Sequence, residues 1–262
     1  MTKNAKCAIQ AAISGAGELA STLSLFVSLF CGQSDMSRAN NVRGVIFDLD
    51  GVLVDTSAFH CRAWRDLAER HGYEFSGEFF RSTFGMQNYQ ILPLLAGRDL
   101  SVDEIERLSK WKENRYRRLV DGKPVPCEGV EHLIEELKGN GFLLAIGTST
   151  PRANLDLMLA HLNVGGSFDA FVTGEDVSRG KPSPDTFLAA AEKLGLEPKR
   201  CAVVEDAVQG VEAGRNAGMA VVAVTSTRSR EDLKQADLIV DRLAELDADR
   251  FIKLIDKGRA DG

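Results

Sequence analysis

Six short apolar runs that alternate with amphipathic segments constrain the fold of this chain most strongly. Each run has the length of a strand and is bounded by turn residues; the runs lie at 42–49, 142–147, 170–173, 201–205, 220–224 and 238–240. Such runs are typical of buried strands. The segments between them carry apolar residues at helical spacing, at 129–140, 152–162, 184–194, 208–217 and 229–235. This alternation predicts βαβ units, and therefore an α/β, Rossmann-like fold with a parallel sheet.

One stretch, 57–126, interrupts the alternation because it contains no apolar run of strand type. Its pattern predicts four helices, at 58–71, 76–84, 88–95 and 101–120. Ser101 and Glu104 have the spacing of a capping box at the start of the last helix. We therefore expect a catalytic core formed by 42–56 and 127–262, with 57–126 as a helical cap inserted after the first strand. Inserts at the carboxyl end of a sheet often carry function, so this one could act as a lid.

The first 41 residues differ in composition from the rest and are rich in Ala, Ser and Leu. Their strongly apolar part, 19–31, is shorter than the roughly 20 residues that a membrane-spanning helix needs. Met36 lies just before the first apolar run. We expect 1–41 to be a disordered extension, with 1–35 arising from an upstream start codon; a secretory signal peptide is the alternative.

Charge and cysteine content restrict the class of partner. The net charge of −6 argues against nucleic acid, whose binding proteins usually present a basic face. The five cysteines are scattered and lack CxxC spacing, which predicts reduced thiols in a cytoplasmic protein. We expect a small-molecule partner and no membrane, and the sequence makes no prediction of the oligomeric state.

Two acidic clusters follow two of the predicted strands. Asp48 and Asp50 end the first run, and Glu205 and Asp206 end the fourth. In open α/β sheets, ligands bind outside the carboxyl ends of the strands, so both clusters should belong to one site. Like charges held close together are unfavourable without a counter-ion. A hard cation with oxygen ligands, most simply Mg²⁺, would compensate them and would suit an anionic substrate such as a phosphate.

The spacing of the first cluster suits catalysis. In an extended segment, Asp48 and Asp50 project to the same face and can reach one ligand. A carboxylate can attack phosphorus and form an aspartyl-phosphate, and a second carboxyl can protonate the leaving oxygen. A merely structural turn is the alternative for this motif taken alone.

Two further segments could bind phosphate. Thr148 and Ser149 lie between a predicted strand and a helix, where backbone N–H groups bind anions readily. Simple capping of that helix is the alternative. Lys181 lies in a proline-rich loop and could neutralise a nucleophile and a phosphoryl group; an ordinary solvated lysine is the alternative there. Asp206 could likewise only cap the helix that follows it.

Taken together, these segments resemble the four motifs of the haloacid dehalogenase superfamily. The segments that carry the resemblance are FDLDGVLVDT at 47–56, the strand end at Thr148, GKPSPDTF at 180–187 and VVEDAVQGVEAGRNAGM at 203–219. The resemblance extends from residue 42 onward. It implies that Asp48 is the nucleophile and Asp50 the general acid and base. It also implies that Thr148 and Lys181 bind the phosphoryl group.

The resemblance further implies a metal site. Mg²⁺ would be held by Asp48, the backbone carbonyl of Asp50 and Asp206, with Glu205 close by. The presence of Asp50 favours phosphoryl transfer over dehalogenation, because the true dehalogenases of the family lack this second Asp.

Two cap segments, 60–64 and 110–114, resemble those of β-phosphoglucomutases. That resemblance implies that His60 positions Asp50 and that Lys112 contacts substrate. The alternatives are that His60 and Trp64, four apart on a helix, are packing residues and that Lys112 lies on a solvated face.

Asn88 departs from the mutase pattern. By the resemblance, it occupies the place of an arginine that binds the second phosphate of the mutase substrate, and a neutral amide cannot replace a guanidinium there. Compensation by Arg98 or Arg115 is the alternative. We therefore expect a Mg²⁺-dependent phosphatase of small phosphorylated metabolites, with Ser149, His60, Lys112 and Asn88 facing the substrate. A β-phosphoglucomutase and a non-catalytic protein that binds a phosphorylated ligand are the alternatives.

Overall fold

All six predicted apolar runs form strands, and every pair of neighbouring strands is parallel. The computed structural model describes residues 42–123 and 125–260, with the side chains of all of these except 259 and 260. The strands are β1 Gly44–Phe47, β2 Leu143–Gly147, β3 Ala170–Val172, β4 Cys201–Glu205, β5 Ala220–Val224 and β6 Leu238–Val240. The predicted α/β class is confirmed.

The strand order is β3-β2-β1-β4-β5-β6. The chain therefore builds the sheet outward on one side of β1 and then reverses to continue on the other side with β4. In open parallel sheets, the crevice at this reversal binds ligands. Phe47 is in register with Val204, and the next backbone N–H, that of Asp48, donates to the Val204 carbonyl at 2.9 Å. The two acidic strand ends are thus neighbours at the reversal.

Helices cover both faces of the sheet. The helices in the described residues are α1 Ser57–His71, α2 Gly77–Thr83, α3 Asn88–Ala96, α4 Val102–Val120, α5 Val130–Gly139, α6 Arg152–Leu159, α7 Asp185–Leu194, α8 Val208–Asn216 and α9 Ala248–Ala260. Val45 and Phe47 pack with Leu133 of α5 on one face, whereas Ile46 packs with Phe187 of α7 on the other. Successive strand residues point to opposite faces, so the whole run must be apolar when both faces are covered.

Along the chain, four consecutive helices, α1 to α4, lie between β1 and α5, as the sequence predicted. They share an apolar cluster of their own, which includes Trp64, Leu67, Phe80 and Leu92. The Ser101 side chain accepts from the Glu104 N–H and the Glu104 side chain accepts in return, so the predicted capping box at the start of α4 is confirmed. The division of the chain into a core and a cap domain stays a prediction.

One predicted helix is absent, and one observed helix was not predicted. The segment 229–235 is a series of turns, because Leu233 is the single buried apolar residue in it. Conversely, the sequence pattern did not identify α9, which buries Phe251 and Ile255 against the core. Helix α6 also ends at Leu159, three residues before its predicted end.

Several predictions concern residues outside the described part of the chain, among them the nature of 1–41 and the state of Cys7 and Cys31. Within the described part, Cys61, Cys127 and Cys201 are free. In the same part, the search for a helix of sufficient length and apolarity to span a membrane found none.

Helix α8 approaches the end of β4 so closely that only glycine fits at one point. A Cβ on Gly210 would lie 1.8 Å from Oε1 of Glu205, which is 1% exposed. The side chain of Glu205 cannot retreat freely, since both of its oxygens accept hydrogen bonds.

We expect Gly210→Ala to lower the free energy of unfolding by about 2 kcal/mol, as overpacking of a buried site does. Gly258→Ala is the matched control, because Gly258 is also helical but has nothing within 4 Å of its Cβ position. That variant should be neutral or stabilised by up to about 1 kcal/mol. Denaturant unfolding of both variants measures the difference, and equal effects would contradict the close packing of α8 on Glu205.

Candidate active site

The loop after β1 lies directly against the second acidic cluster. Gly51 has a φ of +87°, and a Cβ there would lie 2.2 Å from Oδ2 of Asp206. Thr227 donates to that same oxygen at 2.5 Å, and Ser226 donates to the Gly51 carbonyl at 2.6 Å. Glycine is required for both the backbone conformation and the close approach. The structure therefore brings the two acidic strand ends into one site.

A buried lysine joins three strand ends at this site. Nζ of Lys181 donates to Oδ1 of Asp48 at 2.6 Å, to Oε1 of Glu205 at 2.6 Å and to the Gly147 carbonyl at 3.3 Å. Lys181 is 0% exposed, so the alternative of a solvated loop lysine was wrong. Burial alone would lower the pKa of Lys181, but the charges of Asp48 and Glu205 raise it above its usual value. The ammonium group is therefore charged.

The structure changes the expected role of Glu205. Its Oε1 accepts from Lys181, and its Oε2 accepts from the N–H groups of Asp206 and Ala207 at 2.7 and 2.8 Å. Both oxygens of Glu205, which the resemblance places close to the metal, are thus bonded within the protein. The alternative that Asp206 only caps α8 is not observed. Helix α8 begins without a side-chain cap, and the Asp206 carboxylate accepts from Thr227.

Thr148 and Ser149 lie at the end of β2, beside the acidic residues. The Thr148 hydroxyl accepts from the N–H of Thr150 at 3.1 Å, and the Ser149 hydroxyl donates to the carbonyl of Gly85 at 2.8 Å. Helix α6 begins after Pro151 without a side-chain cap, so the capping alternative is not observed. Ser149 instead connects the sheet edge to the segment between α2 and α3.

Asp50 is held by two residues, one in the helical insert and one in the segment just before it. Its Oδ1 accepts from the Thr56 hydroxyl at 2.5 Å and lies 3.2 Å from Nε2 of His60. Nδ1 of His60 lies 2.9 Å from Nζ of Lys112, and the His60 ring stacks on Tyr116 with centroids 3.8 Å apart. An ammonium group can only donate, so Nδ1 accepts and Nε2 carries the proton that His60 donates to Asp50.

A buried carboxylate neutralises Lys112. Lys112 is 3% exposed, which rules out the solvated face, and its Nζ donates to Oε1 of Glu113 at 2.9 Å. Asn88 donates to the same oxygen at 2.8 Å, and Asn154 of α6 donates to Oε2 at 2.6 Å. The amide of Asn88 is thus directed at a carboxylate of the protein itself.

These groups surround one cavity of about 50 Å³ between the sheet edge and helices α1 to α4. Its wall includes seven of the predicted site residues; those on the sheet side are Asp48, Asp50, Thr148 and Ser149, and those on the helical side are His60, Asn88 and Lys112. Lys181 and Asp206 lie behind this wall, in contact with Asp48 and with Gly51 respectively.

The carboxylates at the sheet edge carry more negative charge than Lys181 can balance. Burial, together with the charges of Glu205 and Asp50, raises the pKa of Asp48 to about 7 despite the opposing effect of Lys181. Burial and the charges of Glu205 and Asp48 also raise the pKa of Asp206 well above its usual value. Uncompensated buried carboxylates of this kind fit a hard cation that prefers oxygen ligands.

The donor set for such a cation is small. In residues 42–123 and 125–260, no three His, Cys, Asp or Glu side chains converge as ligands for one ion. The carboxylates of Asp48 and Asp206 would therefore need a backbone carbonyl and water to complete the coordination. Mg²⁺ usually retains several waters and takes only one or two protein carboxylates, so this set suits it.

Sequence reasoning missed several residues that hold the site together. Thr56 and Tyr116 position Asp50 and His60, Thr227 bonds Asp206, and Glu113 bonds Lys112. Two of these residues had an available signal, because Glu113 lies inside the 110–114 segment that resembles the mutases and Thr56 ends the first motif, 47–56. Thr227 lies in a turn with no pattern that marks it.

Comparison with known proteins places the chain in a family. The haloacid dehalogenase-like hydrolase model matches residues 42–218. A phosphorylated carbohydrates phosphatase of Thermotoga maritima is 33% identical over 178 residues, which are 68% of this chain and 82% of that protein. The fructose-1-phosphate phosphatase YqaB of Escherichia coli is 32% identical over 181 residues, 69% of this chain and 95% of that protein.

A crystal structure of beta-phosphoglucomutase from Clostridium difficile has the same fold. It superposes with a TM-score of 0.76 at 28% identity, and the match covers 84% of this chain and 99% of the other. The family match includes both acidic strand ends and Lys181. The chain is therefore an enzyme that belongs to the haloacid dehalogenase-like hydrolase family.

Proposed function

We propose that the protein is a Mg²⁺-dependent phosphatase that hydrolyses a small phosphorylated metabolite, a sugar phosphate or a similar compound, through an aspartyl-phosphate. The observation that carries the proposal is the buried Lys181, which bonds Asp48 at the edge of a cavity that Asp50 also lines. The names of the two bacterial phosphatases similar to this chain support the substrate class.

In the first half-reaction, a carboxylate oxygen of Asp48 attacks phosphorus. The bond between phosphorus and the alcohol oxygen breaks, and the alcohol leaves with a proton from Asp50. Lys181 and the hydroxyl of Thr148 bind the oxygens of the transferring phosphoryl group, where negative charge accumulates.

In the second half-reaction, water attacks the phosphorus of the aspartyl-phosphate and gives a proton to Asp50. The bond between phosphorus and the Asp48 oxygen breaks, inorganic phosphate leaves, and the Asp48 carboxylate is regenerated. Burial would raise the pKa of Asp50, but His60, Thr56 and Lys112 lower it below its usual value. An ionised Asp50 is suited to accept this proton. The proton that Asp50 gains here balances the one it gives to the alcohol in the first half-reaction, so the cycle consumes one water.

The metal would be held by Asp48, Asp206 and the backbone carbonyl of Asp50. When bound, it supplies positive charge beside the phosphoryl group and the buried carboxylates. Glu205 has a separate task in this proposal, because it fixes Lys181 and the first N–H groups before α8.

We further propose that 57–126 acts as a cap that opens and closes. The cavity of about 50 Å³ is much smaller than a typical ligand site of roughly 300–1,000 Å³. Polar contacts hold the helices over the sheet edge; Gln87 donates to the Gly174 carbonyl at 3.2 Å, and the N–H of Gly180 donates to Tyr89 at 3.0 Å. Entry of a sugar phosphate therefore requires these contacts to open, and closure then excludes water.

Mutase activity is the rival proposal within the family. A mutase must hold both ends of a bisphosphate intermediate, and Asn88 offers only a neutral amide that is already bonded to Glu113. Hydrolysis needs only one phosphate to be held. The arrangement thus favours water as the final acceptor of the phosphoryl group.

Asp48→Asn should lower turnover of 4-nitrophenyl phosphate by about 1,000-fold or more, because an amide cannot attack phosphorus. Asp55→Asn is the matched control in the same loop, since Asp55 is exposed. Acid quenching of the wild type with radiolabelled substrate should trap labelled protein, and Asp48→Asn should trap none. Wild-type activity in Asp48→Asn would overturn the mechanism, and absence of wild-type turnover with any divalent metal would favour the non-catalytic binding protein.

Mg²⁺ should raise the melting temperature more at about pH 8 than at about pH 5.5. The raised pKa of Asp48, about 7, and that of Asp206 mean that the metal-free folded state holds protons that the unfolded state has lost. Their contribution to stability therefore falls as the pH rises from about 4 to about 7, and Mg²⁺ offsets the loss by favouring the ionised carboxylates.

Thermal melting with Mg²⁺, and with Na⁺ at matched ionic strength, measures this difference. Asp206→Asn should remove most of the Mg²⁺ effect at the higher pH. An equal Mg²⁺ shift at both pH values, or a full shift in Asp206→Asn, would contradict the proposed ligands.

Incubation with β-glucose 1-phosphate and a trace of glucose 1,6-bisphosphate should release free phosphate. The reason is that Lys112, the cation in the described wall of the cavity, is already neutralised by Glu113 and is not free to hold a second phosphate in the intermediate. Phosphate and glucose 6-phosphate are measured by coupled assays, and accumulation of glucose 6-phosphate without phosphate would establish the mutase instead.

A further inference from the structure

One buried charge in the cavity wall has no task in the mechanism above. Glu113 of α4 is 5% exposed and lines the same cavity as Asp48 and Asp50, on the helical side. Burial of a carboxylate is unfavourable unless hydrogen bonds and charge compensate it. The free-energy cost of burying the Glu113 carboxylate in the cavity wall therefore indicates a functional role.

The neighbours of Glu113 occupy the polar groups of this part of the wall. Its oxygens accept from Lys112, Asn88 and Asn154. The nearby guanidinium of Arg117 is directed away, because it donates to Oδ1 of Asn154 at 2.7 Å and to Oδ1 of Asn114 at 2.7 Å. Lys112, the cation that lines the cavity, is thus already neutralised by Glu113.

Glu113 is ionised at neutral pH. Burial would raise its pKa, but the charge of Lys112 and the hydrogen bonds from Lys112 and Asn88 lower it below the usual value. An ionised carboxylate has about four acceptor sites, of which three are filled here. The free site can accept a hydrogen bond from a ligand in the cavity.

We propose that Glu113 is a specificity-determining residue that selects phosphate monoesters whose far end is uncharged and hydroxylated. A substrate hydroxyl can donate to the free acceptor site of its carboxylate. A second phosphate or a carboxylate at that end would face a like charge with no free cation beside it. This inference rests on the proposed phosphatase function and specifies the substrate class of the same cavity.

A purely structural role for Glu113 makes a different prediction. The bond from Asn154 to Glu113 connects α6 to α4, so loss of the carboxylate could simply loosen the helices over the sheet edge. In that case, every ligand would lose affinity together. A selectivity role changes the ratio between two ligands that differ only in charge at the far end.

The test uses β-glucose 1-phosphate and β-glucuronic acid 1-phosphate, which share the reacting phosphate and differ by a hydroxymethyl and a carboxylate group. Each is measured as a competitor of 4-nitrophenyl phosphate turnover. The wild type should bind the glucose compound at least about tenfold more tightly. Glu113→Gln should reduce this preference at least about fivefold, mainly through tighter binding of the glucuronate.

Three variants complete the design. Glu113→Asp retains the charge and should retain the preference for the glucose compound. Glu106→Gln makes the same chemical change at an exposed position of α4 and should leave the ratio unchanged. Asn88→Arg adds a cation beside Glu113 and should weaken the preference even if Glu113→Gln does not fold.

The outcomes separate this inference from the proposed function. Failure of the wild type to turn over 4-nitrophenyl phosphate would overturn both. Normal turnover with equal affinity for the two competitors would overturn the inference alone. So would a uniform loss of affinity for both competitors in Glu113→Gln, or an unchanged ratio in both Glu113→Gln and Asn88→Arg.

Discussion

The buried ion triplet of Lys181, Asp48 and Glu205 is the interaction on which the rest of the site depends. Its ammonium group lies 2.6 Å from both carboxylates, and all three residues are almost fully excluded from solvent. Removal of one partner from a buried charge cluster typically destabilises by about 3–5 kcal/mol, because the remaining charges are left uncompensated. The triplet therefore fixes the loop before α7 against the ends of β1 and β4, which sets the position of the proposed nucleophile.

The triplet is not electrically balanced, and the imbalance has a structural cause. Strand order places β1 beside β4 at the point where the chain reverses, so two acidic strand ends must meet there. Gly51 then allows the first acidic loop to approach Asp206 closely, which adds a further carboxylate. Burial raises the pKa of both Asp48 and Asp206 as a result. The same geometry that destabilises the metal-free site would provide the oxygen ligands of the proposed cation, and it keeps bulk water from the proposed nucleophile.

The sequence was sufficient for the sheet and for the residues at its edge, since both depend on local patterns. An apolar run covered on both faces can only be a buried strand or helix, and each run was too short for a helix. The hydrogen bonds around Glu113 could not be predicted from local sequence patterns. Glu113 bonds Asn154, 41 positions away, and Asn88, 25 positions away. The helix predicted at 229–235 does not form, because a single buried residue, Leu233, cannot stabilise a helix of two turns. Helix α9 was not predicted, although its apolar face, with Phe251 and Ile255, packs on the core.

The two sides of the cavity offer different groups to a substrate. The sheet side offers Lys181 and the Thr148 hydroxyl, which suit any phosphoryl group and therefore say little about the rest of the substrate. The helical side offers Lys112, whose charge is neutralised within the protein, and Asn88, whose amide is bonded to Glu113. An enzyme that holds its substrate only by the reacting phosphate can release the alcohol once the bond between phosphorus and the alcohol oxygen is broken. Hydrolysis requires no more than this, whereas a mutase must retain and reorient its intermediate. In the proposed function, the neutralised helical side and the use of water as acceptor therefore have the same physical origin.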